Sequence, residues 1–194
     1  IKELNEFEIA QFPDQAAYLR IILPSVNYIA THQNKFTQTI GINAQQWSSK
    51  KGIKKLLSHF NNQTYILVDN KQLKQPKKFN LNPFDINNSN LLALNYHFTN
   101  TIYFNKGKKH FTTSYSYQKS KNVSTTTIDN LTNNLQVQQL TFEHQIGKFW
   151  LFNITGNQSN NKTNSLNYTN RNFDLKNYSI APKLSYYYNS NTYF

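Results

Sequence analysis

The stretch LLALNYHFTNTIYFNKGKKHFTTSYSYQKS, residues 91–120, decides how this chain is interpreted. One parity of its alternating runs is apolar, with Asn100 as the break in the first run and Thr113 as a polar member of the second. The other parity holds mainly Asn, His, Thr, Ser and Gln. A period of two on both sides of the basic turn NKGKK predicts an antiparallel hairpin with one apolar face.

The same alternation recurs in residues 140–154 and 178–188, and the Gly147-Lys148 pair between two runs predicts a second hairpin. Residues 36–44 also alternate. Residues 53–68 are open to two interpretations, because Ile53, Leu56, Leu57 and Phe60 have helical spacing while the parity from Leu56 to Val68 is that of a strand. The strand is favoured, since no stop signal follows.

The alternation predicts eight to ten strands, several of them 11 to 15 residues long. Strands of soluble proteins average about five or six residues, whereas tilted transmembrane strands need about 9 to 11. Acyl chains would cover the apolar face without a second protein layer, and the polar face would line a hydrated interior. The predicted fold is therefore all-β, an antiparallel transmembrane β-barrel with short turns on one side and long loops on the other.

The expected organisation is one barrel segment over residues 1–194. Residues 1–70 hold the less certain strands, residues 71–90 form a loop, and residues 91–194 form strand hairpins. Polar loops are expected at 119–134 and at 160–173, the latter with strand extensions. Residues 189–194, NSNTYF, are interpreted as a turn followed by a further strand. Since open sheet edges do not persist in lipid, we expect further strands outside this segment.

Two sets of residues are assigned to the membrane. The residues expected to face lipid are Leu92, Leu94, Tyr96, Phe98, Ile102, Phe104, Tyr115, Tyr117, Leu140, Phe142, Ile146, Phe152, Ile154, Ile180 and Leu184. Aromatic residues close to turns are expected to form a girdle at the membrane interface, namely Tyr103, Phe149, Trp150, Tyr186 and Tyr188.

Composition narrows the function classes. The chain is 38% hydrophobic and 15% aromatic, which disfavours general disorder, and its net charge of +12 fits anionic partners. It has no cysteine, so thiol chemistry and disulfides are excluded. No apolar run approaches the length of a transmembrane helix. The lysine groups KKGIKK, KQPKK and KGKK are interpreted as solvated loop charge in preference to contacts with lipopolysaccharide phosphates.

Signatures of catalysis are missing from the sequence. The five histidines have no metal-ligand spacing, the nine acids are scattered, and no nucleophile elbow or phosphate-binding loop is present. Ser114 and His144 are residue types that could serve a barrel hydrolase, but nothing further recommends them. We expect no catalytic, cofactor-binding or metal site, and no cofactor.

Three stretches carry a resemblance: NPFDINNSNLLALNYHFTNTIYFNKGKKHFTTSYSYQ, IGKFWLFNITGNQSNN and NYSIAPKLSYYYNSNTYF. They resemble the barrel region of large outer-membrane proteins of Bacteroidota, of the TonB-dependent-receptor-like and giant-barrel kind. The resemblance covers about half of the chain and implies a large antiparallel barrel, usually preceded by a periplasmic domain. No TonB box or plug motif is present, so active import has no support in these residues.

The expected function is a non-catalytic structural role in an outer-membrane transporter or translocation/assembly complex of a Gram-negative bacterium. Its expected partners are outer-membrane lipid or lipopolysaccharide and other protein subunits, with no nucleic acid. The alternative is a secreted all-β adhesin or glycan-binding module. A basic nucleic-acid-binding β-domain is a weaker third option, which predicts binding that falls steeply with added salt.

Overall fold

The alternating runs form seven long strands in a computed structural model that describes residues 12, 15, 28–74, 82–84, 89–108, 110–126 and 128–187. The strands are β1 (Thr31–Asn43), β2 (Phe60–Leu73), β3 (Leu91–Phe104), β4 (Phe111–Thr125), β5 (Asn130–Ile146), β6 (Trp150–Ser165) and β7 (Phe173–Tyr186). A five-residue helix, α1 (Ile53–Leu57), and two short 3-10 helices, Ala44–Trp47 and Thr169–Arg171, lie in the connections.

The seven strands form one antiparallel sheet in the order β1-β2-β3-β4-β5-β6-β7. Each strand pairs with the next along the chain, with a single register shift between Lys71 and Gln72. The predicted all-β antiparallel architecture is confirmed. Within the described residues, however, β1 and β7 are open edges and the sheet does not close into a barrel. The remaining strands expected before residue 28 lie outside the described residues.

The two ends of the sheet are named after residues in their hairpin connections. Connections 44–59, 105–110 and 147–149 lie at the Gly147 end, and connections 74–90, 126–129 and 166–172 lie at the Asp129 end. Each end carries one long connection and two shorter ones. The expected separation of short turns from long loops is therefore wrong.

Both predicted hairpins form. Asn105 and Gly107 adopt positive φ values of 57° and 75° between β3 and β4, and Gly147 adopts 64° between β5 and β6. These left-handed conformations reverse the chain tightly, and glycine adopts them without a steric penalty. The second turn spans residues 147–149 and is therefore one residue longer than predicted.

Residues 53–68 divide between the two interpretations. The strand favoured for this stretch is wrong at Leu56, which lies in α1, and right from Phe60 onward. Gly52, at a φ of 68°, turns the chain before the helix, and the Ser58 hydroxyl donates to Lys55 O over 2.6 Å after it. The backbone N–H of Asn105 then donates to His59 O over 2.8 Å, where the pairing of β2 with β3 begins.

The loop predicted over residues 119–134 is wrong, because β4 continues to Thr125 and β5 begins at Asn130. Backbone pairing persists here between polar residues such as Asn122 and Asn133. The loop predicted over 71–90 likewise begins after Leu73, and the expected strand extension after residue 160 is confirmed to Ser165. Polar side chains on both faces removed the alternation signal without preventing hydrogen bonding of the backbone.

Little of the sheet is covered by protein. Among the described residues, Val68 and Leu94 are the only buried hydrophobic side chains, at 0% and 3% exposure. A single sheet has two faces, and no second layer packs against the larger part of either face within the described residues.

Candidate functional site

The register assigns every strand residue to one of two faces. Because side chains alternate along a strand, the even-numbered residues of β1, β2, β3, β5, β6 and β7 lie on the same face as the odd-numbered residues of β4. We call this the apolar face and the opposite one the polar face. For example, the paired residues Ile102, Tyr115 and Leu140 follow one another across the apolar face.

All fifteen residues that the sequence assigned to lipid lie on the apolar face. Their exposure differs: Ile180 is 76% and Leu140 54% exposed, whereas Leu94 is 3% exposed. Leu94 is thus covered within the chain and lies apart from the exposed surface. Sequence alternation located the face but not the part of it that is open.

The open part is an apolar band in the half of the sheet nearer the Gly147 end. Its members are the exposed large hydrophobic side chains of this face, namely Ile40, Ile42, Phe60, Ile102, Phe111, Tyr115, Leu140, Ile146, Trp150, Tyr178, Ile180, Leu184 and Tyr186. The band crosses all seven strands. On β7 it runs from Tyr178 to Tyr186, about 27 Å along the strand at the usual rise per residue.

Aromatic rings meet across strands at the Gly147 end of this band. Ring centroids lie 5.0 Å apart for Phe60 and Phe104, 5.7 Å for Phe104 and Phe111, and 4.8 Å for Trp150 and Tyr186. These are separations at which aromatic pairs attract beyond their burial. The contact between Phe60 and Phe104 could not be predicted from the sequence, because it depends on the register between β2 and β3.

The five residues predicted for the girdle are placed differently from one another. Trp150 and Tyr186 lie in the aromatic end of the band, and Phe149 contacts Tyr186 from the turn with centroids 6.1 Å apart. Tyr103 lies on the polar face, where the Lys106 ammonium stands 4.4 Å from its ring centroid. Tyr188 lies outside the described residues.

Polar residues within the band bond to one another. Asn100 Nδ2 donates to Thr64 Oγ1 over 2.7 Å and to Asn62 Oδ1 over 3.2 Å, and the Thr64 hydroxyl donates to Asn62 Oδ1 over 3.0 Å. On β4, the Tyr115 hydroxyl donates to Gln138 Oε1 over 3.1 Å. The interruption of the apolar alternation at Asn100 therefore has hydrogen-bond partners within the sheet.

In the half nearer the Gly147 end, the polar face is lined mainly by hydroxyls and amides that also interact across strands, whereas its exposed large hydrophobic side chains lie towards the Asp129 end, namely Leu131, Phe173 and Leu175. The hydroxyls of Thr101 and Ser116 lie 3.1 Å apart, and Asn157 Nδ2 donates to Ser179 Oγ over 3.4 Å. A depression of about 400 Å³ lies near Thr39 and Gln63. Groups of this kind hydrogen-bond readily to water, so the face is suited to a hydrated environment.

The apolar face changes character beyond the band, towards the Asp129 end. On β1 and β2 it is covered by part of connection 74–90: the Phe84 ring meets that of Phe36 edge-on at 5.3 Å, and Asn70 Nδ2 donates to Pro83 O over 2.9 Å. On β4, β6 and β7 it carries a basic patch, which consists of Lys119, Lys121, Lys162 and Lys176. Beyond the band, the apolar face is therefore covered by protein on β1 and β2 and carries positive charge on β4, β6 and β7.

At the Asp129 end the two connections 126–129 and 166–172 are joined through one carboxylate. Ser165 Oγ donates to Asp129 Oδ2 over 2.7 Å, and the backbone N–H groups of Asn130 and Asn167 donate to Oδ1 over 2.9 and 3.1 Å. The pKa of Asp129 is lower than its ordinary value. The hydrogen bond from the Ser165 hydroxyl contributes most to this shift, and the backbone N–H groups add to it, while burial acts in the opposite direction. Hydrogen bonds favour the ionised form because they stabilise its charge.

Residue types that are common in catalytic sites do not come together in the described part of this chain. Among the described residues, no group of three or more His, Asp or Glu side chains is arranged to hold a metal ion. Ser114 lies on the polar face and His144 on the apolar face, so the sheet separates them. His144 Nδ1 instead bonds to His110 O over 2.6 Å, and His59 Nδ1 bonds to Asn105 Oδ1 over 2.6 Å.

No family model, no curated protein and no solved structure matches this chain. Among the described residues, no helix has both the length and the hydropathy needed to cross a membrane.

Proposed function

We propose that this sheet forms part of the wall of an outer-membrane β-barrel in a Gram-negative bacterium. The barrel serves as a non-catalytic component of a transporter or of a translocation/assembly complex. The apolar band faces the lipid, and the polar face lines a hydrated interior. The observation that carries this proposal is the open band, which crosses all seven strands on one face, while mainly hydroxyls and amides occupy the opposite face over the same half of the sheet.

Energetics support a lipid neighbour for the band. Covering a large apolar side chain gains about 1.5–3 kcal/mol relative to leaving it in water, and the band holds such side chains on every strand. Its 27 Å length on β7 becomes about 20 Å of height when a strand is tilted by about 40°, which approaches the apolar band of about 25 Å of outer-membrane barrels. Several polar side chains within the band bond to one another, namely Asn62, Thr64 and Asn100 in one group and Tyr115 and Gln138 in another.

The open edges set a requirement for this wall. In an antiparallel meander of seven strands, β1 and β7 run in the same direction, so they cannot pair with each other in antiparallel fashion. In lipid, every backbone donor and acceptor needs a partner. The proposed barrel therefore includes at least one further strand next to β1 or β7, and this requirement agrees with the resemblance of the sequence to large barrels of Bacteroidota.

Membrane fractionation of the native source tests the proposal. Membranes are washed with alkaline carbonate, extracted with detergent and blotted for this chain. Release only by detergent, from the outer-membrane fraction, is expected for an integral barrel wall. Recovery in the soluble or carbonate-washed fraction would overturn the proposal.

One observation favours the alternative of a secreted glycan-binding module. An open cleft of about 540 Å³ lies over Gly156 on the apolar face, and Tyr115 and Tyr178 flank it. Tyr178 is 67% exposed, and the face of an exposed aromatic ring can stack on a sugar ring. Soluble recovery at the mass of the chain, 22.8 kDa, would make this module the leading interpretation.

A further inference from the structure

The basic patch lies immediately beyond the apolar band on the same face. Lys176 precedes the band residue Tyr178 by two positions on β7, and Lys119 follows Tyr117, an aromatic residue of the same face, by two positions on β4. Two residues of a strand span about 7 Å. A molecule that contacts the band therefore lies within one side-chain length of the lysines.

The register aligns these lysines in two rows across the sheet. Lys119 pairs with Gln136, Gln136 with Asn160, and Asn160 with Lys176. The next row towards the Asp129 end contains Lys121, Asn134, Lys162 and Asp174. Three strand spacings separate Lys119 from Lys176, so the first row spans about 14 Å across the sheet.

The described strands place one acidic side chain on this face against the positive charges of Lys119, Lys162 and Lys176. Asp174 is the sole acidic residue on the apolar face of the described strands, and its carboxylate lies 4.0 Å from the Lys162 ammonium. Both side chains are about half exposed (51% and 48%), so this ion pair is weak. The polar side chains between the lysines are neutral amides, which also donate hydrogen bonds to phosphate oxygens.

We propose that the basic patch and the cleft over Gly156 together bind the phosphate-bearing headgroup and the adjoining acyl chain of an anionic membrane lipid. Lys119, Lys162 and Lys176 attract the phosphate, while Leu140 and Ile180 in the cleft contact the acyl chain. The order of the two surfaces along the strands matches the order of headgroup and chain in a lipid. This proposal deepens the proposed function, on which it rests, by naming the site of the lipid contact.

The test uses the full chain folded in uncharged maltoside micelles, with the anisotropy of a fluorescently labelled phosphatidylglycerol as the probe of binding. The variant K119Q/K162Q/K176Q is compared with the control K35Q/K71Q/K183Q, which removes three lysines from the polar face. We expect the first variant to raise the Kd at least about tenfold and the control to change it less than about twofold, because each lysine near an anionic surface contributes severalfold. Gly156→Leu, which places a side chain in the cleft, is also expected to weaken binding.

Competition identifies the source of the phosphate. Unlabelled phosphatidylglycerol is expected to displace the probe, whereas phosphatidylcholine and inorganic phosphate at equal concentration are not. Equal affinities of the two lysine variants, or displacement by inorganic phosphate as strong as that by phosphatidylglycerol, would refute the lipid site. Flotation of the wild type with phosphatidylcholine vesicles is measured in parallel. Loss of flotation refutes the proposed function, whereas normal flotation with equal affinities refutes only the lipid site.

Discussion

Asn100 on β3 donates a hydrogen bond from Nδ2 to Oγ1 of Thr64 on β2 over 2.7 Å, in the middle of the apolar band. The bond joins strands that are distant in sequence and places two polar side chains opposite each other, with Asn62 as a third member. A polar group that faces acyl chains has no water to bond, so its partner must come from the protein. Asn100 is the one polar residue in the apolar alternation of residues 92–104, and this pairing provides it with a hydrogen-bond partner.

The first prediction concerns this cluster. Asn100→Val removes the donor and leaves Thr64 and Asn62 with only each other, so we expect a loss of about 1 kcal/mol in the free energy of unfolding in uncharged micelles. The triple variant N62V/T64V/N100V removes all three polar side chains of the cluster. We expect its free energy of unfolding to equal or exceed that of the wild type, because lipid-like surroundings favour apolar groups. Urea unfolding followed by tryptophan fluorescence measures both. A triple variant that is less stable than N100V would place the cluster in water.

The second prediction uses neighbouring residues of β5 that lie on opposite faces. Leu140→Lys inserts a charge into the band and is expected to cost about 2–4 kcal/mol of folding free energy in vesicles, the cost measured for lysine facing lipid near the bilayer centre. Gln139→Lys adds the same charge on the polar face, and we expect it to change the folding free energy by less than about 0.5 kcal/mol. Urea titrations of folding into phosphatidylcholine vesicles measure the two. Equal effects would contradict a lipid-facing band.

Local patterns predicted the faces of the sheet, because a period of two is a property of each strand alone. Leu140, Phe142 and Ile154 could therefore be assigned to one face without knowledge of the pairing. Contacts between strands could not be predicted. The contact of Phe60 with Phe104 depends on a register set across connection 74–90, and sequence alternation carries no information on that register.

The basic patch was missed for a related reason. Lys119 and Lys121 follow the aromatic alternation in a stretch that is polar on both parities, so the sequence there is typical of a loop. The backbone nevertheless stays paired to Thr125, and this pairing places both lysines on the apolar face. Lys162 and Lys176 come from two other strands, and only the register brings the four into adjacent rows.

The third prediction uses single cysteines, which is straightforward because the chain has none. Ile180→Cys and Ser179→Cys, on opposite faces of β7, are each labelled with an environment-sensitive fluorophore after folding into vesicles. We expect brominated lipid to quench the label at position 180 strongly, because that face contacts acyl chains, and to have little effect at position 179. Aqueous iodide should give the reverse order. Equal quenching at both positions by brominated lipid would rule out a one-sided membrane contact.

The last prediction concerns pH and the Asp129 junction. The pKa of Asp129 is lower in the folded chain than its ordinary value, so ionisation stabilises the fold above the unfolded pKa of about 3.9. That contribution is lost as the pH falls through the folded pKa. We therefore expect the difference in unfolding free energy between the wild type and Asp129→Asn to shrink as the pH falls from about 5 to about 2.

Ser165→Ala removes the largest cause of the pKa shift and should give a smaller pH-dependent loss of unfolding free energy. Ser159→Ala, on the same face of β6, is the control and should behave as the wild type. A difference between wild type and Asp129→Asn that stays constant over this range would show that the ionised carboxylate does not hold the two connections together.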